Sequence, residues 1–512
     1  MMRSSLVHRG LAASSALSRL ARALGICSLL AVLCGFPSHA AANGRYPHAQ
    51  QLIEDPQDPG RVWLRVSFGL LTIRAGESHW SWICERSMGY SGELDPGVGV
   101  LQDGSIIVGL TDGLTISRDH GCSFEFVPGP LMGNFVTDVT VDPNNPARAL
   151  ALASPVLATG VPANYLFEST DNGTTWTQIG GDLGTDLLLF TLETAPSDPN
   201  RIYASGVDGQ GQGVLLRSTD RGRSWMTLPI PGTSLDVTPF IGAVHPTKKG
   251  TVFVRASGID EDLLLHTANG GRTWMTLLRD STQLLGLALS PDGSTILAGF
   301  GNKPGNTMYD PKAFGIWRAS TADFRFVKVY PGPVYCLKWT AHGLYACANR
   351  EVQGFDLGLL PQVDFPPMGV DPFAPQMLVS QLPGPLACPA NSTTTQFCPG
   401  EWPMTCMRLG ACPVLDGGVA AGDAGGVSGP DSGASDSGPS NPPEAGPVSS
   451  PASSGCGCVL AAAGHELSTR TAALGALLGL LAYAAGLTRR RRRVADPGHR
   501  RRLHRRGTDG SS

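Results

Sequence analysis

An eight-residue pattern recurs four times in this chain, and it constrains the fold more than any other feature. The pattern is S-x-D-x-G-x-[ST]-[WF], and its copies occupy residues 117–124, 169–176, 218–225 and 267–274. The third positions are separated by 52, 49 and 49 residues. A near-constant period of this length predicts a repeat architecture, in which each repeat forms one supersecondary unit.

Each residue type in the pattern suits a tight turn between two strands. Asp or Asn can fold its side chain onto nearby backbone N–H groups, and Gly supplies a positive φ. Ser or Thr caps the turn, and the aromatic residue closes it over an apolar neighbour. The positions that carry these roles are Ser117, Asp119, Gly121, Phe124, Ser169, Asp171, Gly173, Trp176, Ser218, Asp220, Gly222, Trp225, Thr267, Asn269, Gly271 and Trp274.

Short β-type runs accompany every copy of the pattern. One set of runs precedes the pattern at residues 105–110, 148–153, 201–205 and 251–256, and a second set leads into it at 113–117, 165–169, 214–218 and 263–267. Weaker units lie at 61–84, 295–327 and 343–357. Seven units of about 45 residues between residues 61 and 360 predict an all-β protein, a seven-bladed β-propeller, with six blades as the alternative. Such a ring would need its first and last units to complete each other.

The repeated pattern resembles the Asp-box, or BNR repeat, of the β-propellers in sialidases, sortilin-type receptors and the photosystem II assembly factor family. The resemblance implies that the box links the two outer strands of a blade and lies away from the binding face. It indicates a fold more than a function, because propellers of one architecture serve many functions.

The motifs that would indicate an enzyme are incomplete. A sialidase would need an F/Y-R-I-P segment, but residues 61–63 and 201–203 lack the proline. The carboxylates of Asp260, Glu261 and Asp262 could support glycoside hydrolysis, although a solvated hairpin loop is the favoured interpretation. We therefore predict no catalytic residues, and a glycoside hydrolase or lyase remains the alternative.

Metal and cofactor motifs are also incomplete. His465-Glu466 lacks the second histidine of a zinc protease, because Thr469 stands in its place. The run 171–173 lacks the later ligands of a calcium loop. The glycine-rich run 209–213 precedes a strand, so a hairpin tip is favoured over a phosphate cradle. We predict neither a metal site nor a cofactor.

Eight cysteines remain after those of the terminal segments are set aside, and an even number in an exported protein suggests disulfides. They are Cys84, Cys122, Cys336, Cys347, Cys388, Cys398, Cys406 and Cys412. Cys336 and Cys347 flank one probable hairpin, and Cys84 and Cys122 hold comparable places in adjacent units. The last four predict a disulfide-stapled segment within residues 361–415, packed on or after the propeller. Its pairing stays open among three possibilities, and a zinc site is the alternative.

The N-terminus has the features of a secretory signal peptide over residues 1–40. Four arginines precede an apolar run at 24–36, and small residues that suit cleavage follow. Cys34 also allows a lipoprotein signal, but the preceding Leu33 is bulky for one. These arginines and the ten at residues 489–512 make both ends of the chain basic. Because the net charge of the whole chain is −3, the region between the two ends carries a negative net charge. A nucleic-acid partner is therefore excluded for the body of the protein.

The C-terminal hundred residues read as a stalk and an anchor. The chain contains 65 Gly and 40 Pro, and the Gly/Ser/Pro/Asp-rich stretch 416–454 is predicted to be disordered. The uncharged run 471–487 is long enough for a thin bilayer, and Arg489–Arg493 follows it. Ahead of it lies the motif Gly455, Cys456, Gly457 and Cys458.

The motif is followed by a marginal helix and an arginine cluster, which together span residues 455–493, and by a basic tail at 494–512. This order resembles the MYXO-CTERM sorting domain of myxobacterial surface proteins. The resemblance implies a membrane-embedded sorting protease as a partner and anchoring at the cell surface or outer membrane. A plain membrane anchor is the alternative. Together these features predict an exported, surface-anchored propeller that binds a protein or glycan, with an envelope assembly factor as a second alternative.

Overall fold

The computed structural model describes residues 49–91, 95–155, 163–258, 260–301, 314–348, 356–368 and 370–412. These residues form seven antiparallel sheets of four strands each. Every sheet is built from four consecutive strands, so each is one blade of a seven-bladed β-propeller. This confirms the predicted fold and excludes the six-bladed alternative.

The strands are numbered in chain order, four to a blade. Blades 1 to 3 comprise β1 (Ala49–Glu54), β2 (Arg61–Val66), β3 (Gly69–Arg74), β4 (Ser81–Ile83), β5 (Val98–Val100), β6 (Ile106–Leu110), β7 (Gly113–Ser117), β8 (Glu125–Phe126), β9 (Asn134–Val141), β10 (Ala149–Pro155), β11 (Tyr165–Ser169) and β12 (Thr177–Ile179). Blades 4 and 5 comprise β13 (Leu187–Ala195), β14 (Asp198–Asp208), β15 (Gln212–Ser218), β16 (Met226–Ser234), β17 (Val237–Val244), β18 (Val252–Gly258), β19 (Asp262–Thr267) and β20 (Met275–Asp280). Blades 6 and 7 comprise β21 (Gln283–Leu289), β22 (Thr295–Gly301), β23 (Gly315–Ser320), β24 (Val327–Tyr330), β25 (Val334–Thr340), β26 (Gly343–Ala348), β27 (Asp356–Leu360) and β28 (Ala374–Leu378).

The first strand of each blade lies innermost and contacts the first strands of its neighbours, with β1 against β25 at the closure. Blades 1 and 7 each have four strands of their own, so the expectation that the terminal units complete each other is wrong. β1 lies upstream of the predicted start at residue 61, and β28 lies downstream of residue 360. Neither strand could be predicted from the sequence, because neither lies next to a copy of the repeated pattern.

The apolar cores lie between adjacent blades. Leu152 and Leu166 of blade 3, for example, pack in one cluster with Leu192, Ile202 and Leu216 of blade 4. The second and third strands are covered on both faces, which is why strands such as β6 and β7 are buried throughout. Strands buried on both faces read as continuous apolar runs, and such runs were visible in the sequence.

The repeated pattern forms the connection between the third and fourth strands in blades 2 to 5. In all four copies the first hydroxyl donates to the Asp or Asn Oδ1 at 2.8–3.0 Å and accepts from the Gly N–H at 2.8–3.0 Å. The same Oδ1 accepts the N–H four residues later at 2.7–2.9 Å. The Gly has φ between 72° and 91°, and the residue before it is left-handed as well, with φ between 54° and 68°. The pattern thus folds as a self-contained turn.

After β28 the chain crosses from blade 7 to blades 1 and 2. It pairs briefly with β4, where Trp82 N–H donates to Gly384 O at 3.0 Å and Leu386 N–H donates to Trp82 O at 2.8 Å. It ends in helix α1 (Thr393–Leu409), which Ser392 caps at the N-terminus. Thr394 Oγ1 donates to Gly121 O at 2.8 Å, so α1 docks on the turn of blade 2. The helix was not predicted, because Pro399 and Pro403 argue against a helix interior.

Four disulfides are present, and they correct two expectations. Cys336–Cys347 links opposite residues of β25 and β26, as predicted. Cys84 and Cys122, however, do not pair with each other: the bonds are Cys84–Cys398 and Cys122–Cys388. The last four cysteines therefore do not form a self-contained segment, since only Cys406–Cys412 lies within it. Spacing could not reveal this, because the partners are brought together by the crossing of the chain over the ring.

The predicted signal peptide, stalk, sorting motif, apolar run and arginine cluster lie outside the described residues. Within the described ranges, no helix has the length and apolar character needed to cross a membrane.

Candidate functional site

The repeated turns and the opening of the central channel lie at opposite ends of the ring. The turns follow the third strands, whereas the channel opens where the first strands begin and the second strands end. A cavity of about 450 Å³ occupies this opening, and all seven blades contribute to its wall. Its volume falls in the range of about 300–1,000 Å³ that is usual for small-molecule sites.

A β-bulge interrupts six of the seven first strands near the level of this cavity. The bulged residues are Gln50, Thr137, Phe190, Gly242, Leu285 and Tyr335. All except Gly242 line the cavity. A bulge leaves one residue out of the ladder and re-aims its side chain, and bulges are enriched beside active sites. The bulges therefore convert a regular channel wall into a set of side chains directed at one space.

Two arginines lie in the cavity wall, Arg65 of β2 in blade 1 and Arg255 of β18 in blade 5. Arg65 Nη1 donates to Pro96 O at 2.5 Å, and its buried Nε has no hydrogen-bond partner among the described residues. Arg255 Nη1 donates to Leu284 O at 3.2 Å. Burial lowers the pKa of both arginines, and repulsion by Arg65 lowers the pKa of Arg255 further. Both stay charged, because a guanidinium is not deprotonated in proteins.

Asp138 of β9 is a carboxyl of the same wall. Its Oδ1 accepts the Val139 N–H and its Oδ2 accepts the Leu192 N–H, both at 2.9 Å. Burial raises the pKa of Asp138 to about 6, against the opposing effects of these hydrogen bonds and of Arg65. The group therefore changes charge close to neutral pH.

Glu193 of β13 neighbours Asp138 on the channel side. Burial raises the pKa of Glu193 to about 8, and the negative charge of Asp138 raises it further, against the effect of Lys338. Thr140 Oγ1 donates to Glu193 Oε2 at 3.4 Å. Between pH 6 and 8, Asp138 is ionised while Glu193 keeps its proton. Two neighbouring carboxyls with separated pKa values are typical of acid–base sites.

Three aromatic side chains complete the wall: Phe190 of blade 4, Phe240 of blade 5 and Tyr335 of blade 7. Phe190 and Phe240 lie 5.7 Å apart by ring centroids, and the guanidinium of Arg255 lies 5.0 Å from the centroid of Phe240. The opening thus combines charged groups with flat apolar faces, as small-molecule sites commonly do.

The candidate site residues suggested by the sequence do not line the cavity and instead have structural contacts. In the cluster 260–262, Asp262 is buried and accepts the N–H groups of Gly258 and Leu284, and Glu261 pairs with Arg279. The glycine-rich run 209–213 lies at the hairpin between β14 and β15, as predicted. Within the described ranges, no group of three or more His, Cys, Asp or Glu side chains is arranged to hold a metal.

Sequence reasoning missed Arg65, Asp138, Glu193 and Arg255. They lie on four different blades, with Arg65 and Arg255 on second strands and Asp138 and Glu193 on first strands that carry bulges. No repeated signal connects them.

Comparison with known proteins identifies no family. No protein-family model matches this chain, and no curated protein matches it. Among solved structures, an oligogalacturonate lyase from Vibrio parahaemolyticus is 10% identical with a TM-score of 0.42, covering 62% of this chain and 91% of that one. YCF48 from Cyanidioschyzon merolae is 12% identical with a TM-score of 0.38, covering 62% and 96%.

The GH74 xyloglucanase from Xanthomonas campestris is 16% identical with a TM-score of 0.37, covering 58% of this chain and 50% of that one. The chain therefore spans about half the length of that enzyme. At such low identities and scores, these likenesses give no argument about function.

Proposed function

We propose that this protein is an exported β-propeller that is anchored at the cell surface and binds a glycan at the opening of its channel. The observation that carries the proposal is the row of bulges, whose residues from five blades line one cavity. Phe190 and Tyr335 supply flat faces for sugar rings, and Arg65, Asp138 and Arg255 supply polar contacts.

Export is supported by the four disulfides, since such bonds persist in oxidising compartments. The signal-like N-terminus and the C-terminal motif agree with it. We further propose that the repeated turns are Asp-boxes and that the C-terminus is a MYXO-CTERM-type sorting signal. Mass spectrometry of the mature protein tests the sorting, and a chain that still ends at Ser512 counts against it.

Binding of a panel of neutral and acidic oligosaccharides to the full-length protein tests the site. We expect Phe190→Ala and Tyr335→Leu to weaken binding of the glycan that is found by about tenfold or more, because each removes apolar contact area at the cavity. Phe126→Ala is the matched control, since Phe126 is an exposed aromatic residue of the outermost strand β8. Equal losses in the control, or no loss at Phe190 and Tyr335, would place the site elsewhere.

A glycoside hydrolase or lyase is the second candidate, and the carboxyls of Asp138 and Glu193 favour it. Between pH 6 and 8 one is a base and the other an acid. If the protein is an enzyme, Asp138→Asn and Glu193→Gln should each abolish the release of new chain ends from its oligosaccharide ligand while leaving binding measurable. If the wild-type protein releases no new chain ends from any oligosaccharide that it binds, the enzyme hypothesis is rejected and the binding function stands.

A further inference from the structure

The chemistry of the channel opening indicates which glycan it accepts, and this inference rests on the proposed function. Arg65 and Arg255 come from blades 1 and 5, on opposite sides of the ring, yet they lie close enough to repel each other. Each guanidinium carries five N–H donors in a fixed fork. Arg65 and Arg255 donate to Pro96 O and Leu284 O respectively, and the Nε of Arg65 has no hydrogen-bond partner among the described residues.

We propose that the opening binds a carboxylated sugar, a uronic acid residue of a polysaccharide, with its carboxylate between Arg65 and Arg255 and close enough to Asp138 to be affected by its charge. An anion between two repelling guanidiniums relieves their repulsion. A planar carboxylate also fits the guanidinium fork through two parallel hydrogen bonds.

The charges around the cavity favour a carboxylate over a more highly charged anion. Asp95 and Asp138 attract Arg65, and Asp262 attracts Arg255. A ligand with a single negative charge can pair with both arginines while meeting the least repulsion from these aspartates. A phosphate monoester, with nearly two negative charges at neutral pH, would be repelled by the same aspartates.

The shape of the opening favours a sugar over an extended peptide. A peptide that adds a strand needs a regular free strand edge. The inner edges of six first strands are interrupted by bulges, which are a known means of preventing such pairing. Phe190 and Tyr335 line the cavity from blades 4 and 7, so two parts of its wall offer aromatic surface to a sugar.

The charge of Asp138 makes binding depend on pH. Asp138 is faced by Arg65 of β2 and Glu193 of β13, and the charged groups around these two are Asp95, Lys338 and Arg255. As the pH falls through about 6, Asp138 takes up a proton and stops repelling the carboxylate of the sugar. The carboxylate of the sugar stays ionised there, because its pKa is lower. Affinity should therefore be higher at pH 5 than at pH 7.5.

Isothermal titration calorimetry of the full-length protein tests the inference. The probes are trimers of galacturonic, glucuronic and mannuronic acid, their methyl esters, a sulfated disaccharide and the peptide Glu-Glu-Glu. We expect at least one uronate trimer to bind about tenfold or more tightly than its ester, because charge-assisted hydrogen bonds are lost on esterification. This comparison uses the wild-type protein and needs no variant.

Variants locate the contact. Arg65→Gln and Arg255→Gln should each remove the preference for the acid over the ester, and Arg255→Lys should reduce it. Asp138→Asn should remove the gain in affinity between pH 7.5 and pH 5. Arg325→Gln is the matched control, because Arg325 is 88% exposed beyond β23, on the opposite end of the ring. It should leave both measurements unchanged.

Several results would overturn the inference. Esters that bind as tightly as acids, with binding still lost in Phe190→Ala, would show a neutral-glycan site and leave the proposed function standing. Tighter binding of the sulfated disaccharide or of the peptide would replace the carboxylated sugar with another ligand. Failure of every uronate to bind overturns it directly, while the wider oligosaccharide panel still decides the proposed function.

Discussion

The two ends of the ring are built by opposite rules. At the end with the repeated turns, four loops share one sequence pattern and one set of hydrogen bonds, which all lie within the loop itself. At the channel opening, the polar side chains come from different blades and share no pattern, and bulges break the regular ladder of the first strands beside them. The first end is repeated because every blade needs the same turn. The second end is irregular because a ligand site needs different groups at different places.

Energetics follow the same division. At the repeated turns, Asp220 is half-buried, and its hydrogen bonds with Ser224 and Ser218 lower its pKa to about 2. Asp138 at the opening and Glu193 beside it are half-buried, and burial raises the pKa of Glu193 to about 8. Ionised carboxylates thus stabilise one end, and carboxyls poised to change charge lie at the other. The comparison teaches that repetition in this chain marks structure and that irregularity marks function.

The largest expected effect is the loss of stability when the glycine of a repeated turn is replaced. Gly222 has φ of 87°, and an added Cβ would lie 2.3 Å from Leu166 Cδ2 of the preceding blade. Gly222→Ala should lower the free energy of unfolding by about 2–4 kcal/mol, from left-handed strain and overpacking together. Chemical denaturation measures this. Gly181→Ala is the control, because nothing lies within 4 Å of its Cβ position; a similar loss there would remove the special status of the turn.

A smaller effect is expected at the carboxylate of the same turn. Asp220 accepts from Ser218 Oγ, Ser224 N and Ser224 Oγ. Asp220→Ala should cost about 1–2 kcal/mol at pH 7, as for the loss of a helix cap. Because these hydrogen bonds hold the pKa of Asp220 near 2 in the folded state, their contribution is present above pH 4 and declines as the pH falls through 2. Urea denaturation at several pH values measures the difference; a constant cost down to pH 2 would contradict the account.

A change that depends on pH is expected at Glu193, beside the opening. Glu193 ionises near pH 4.5 in the unfolded chain and near pH 8 in the folded one, so the folded state retains a proton that the unfolded state loses. Wild-type stability should therefore decline as the pH rises from about 4.5 to 8. Glu193→Gln should remove this decline, with little change at pH 5 and a higher melting temperature at pH 8. An unchanged slope in the variant would show that Glu193 ionises freely.

Most of the framework could be predicted from the sequence, because local chemistry determines it. The pattern around Asp171 and Asp220 requires a turn whatever surrounds it, and the apolar runs beside each copy had to be buried strands. β7 and β11 begin and end at the predicted residues. Even blade 6, without a full copy of the pattern, was visible in its strands.

What could not be predicted depends on contacts between distant parts of the chain. Cys84 and Cys398 are 314 residues apart, and nothing in their neighbourhoods pairs them. Helix α1 forms in spite of two prolines, where Thr394 and Cys398 fix it to blades 1 and 2. Arg65 and Arg255 are brought to one cavity through ring closure, and the bulges of the neighbouring first strands carry no sequence signature. The candidate site therefore emerged from the fold and not from the motifs.

The crossing of the chain from blade 7 to blades 1 and 2 has a mechanical consequence. Tension applied to the chain beyond Cys412 reaches α1 and passes into the ring through Cys398–Cys84, and then through Cys388–Cys122. Both bonds end in blades 1 and 2, so the hydrogen bonds of β28 in blade 7 bear no load while the disulfides are intact. After reduction, the same pull would peel β28 from β27. Under load, the disulfides therefore keep the ring of the oxidised protein closed, whereas the ring of the reduced protein opens at blade 7.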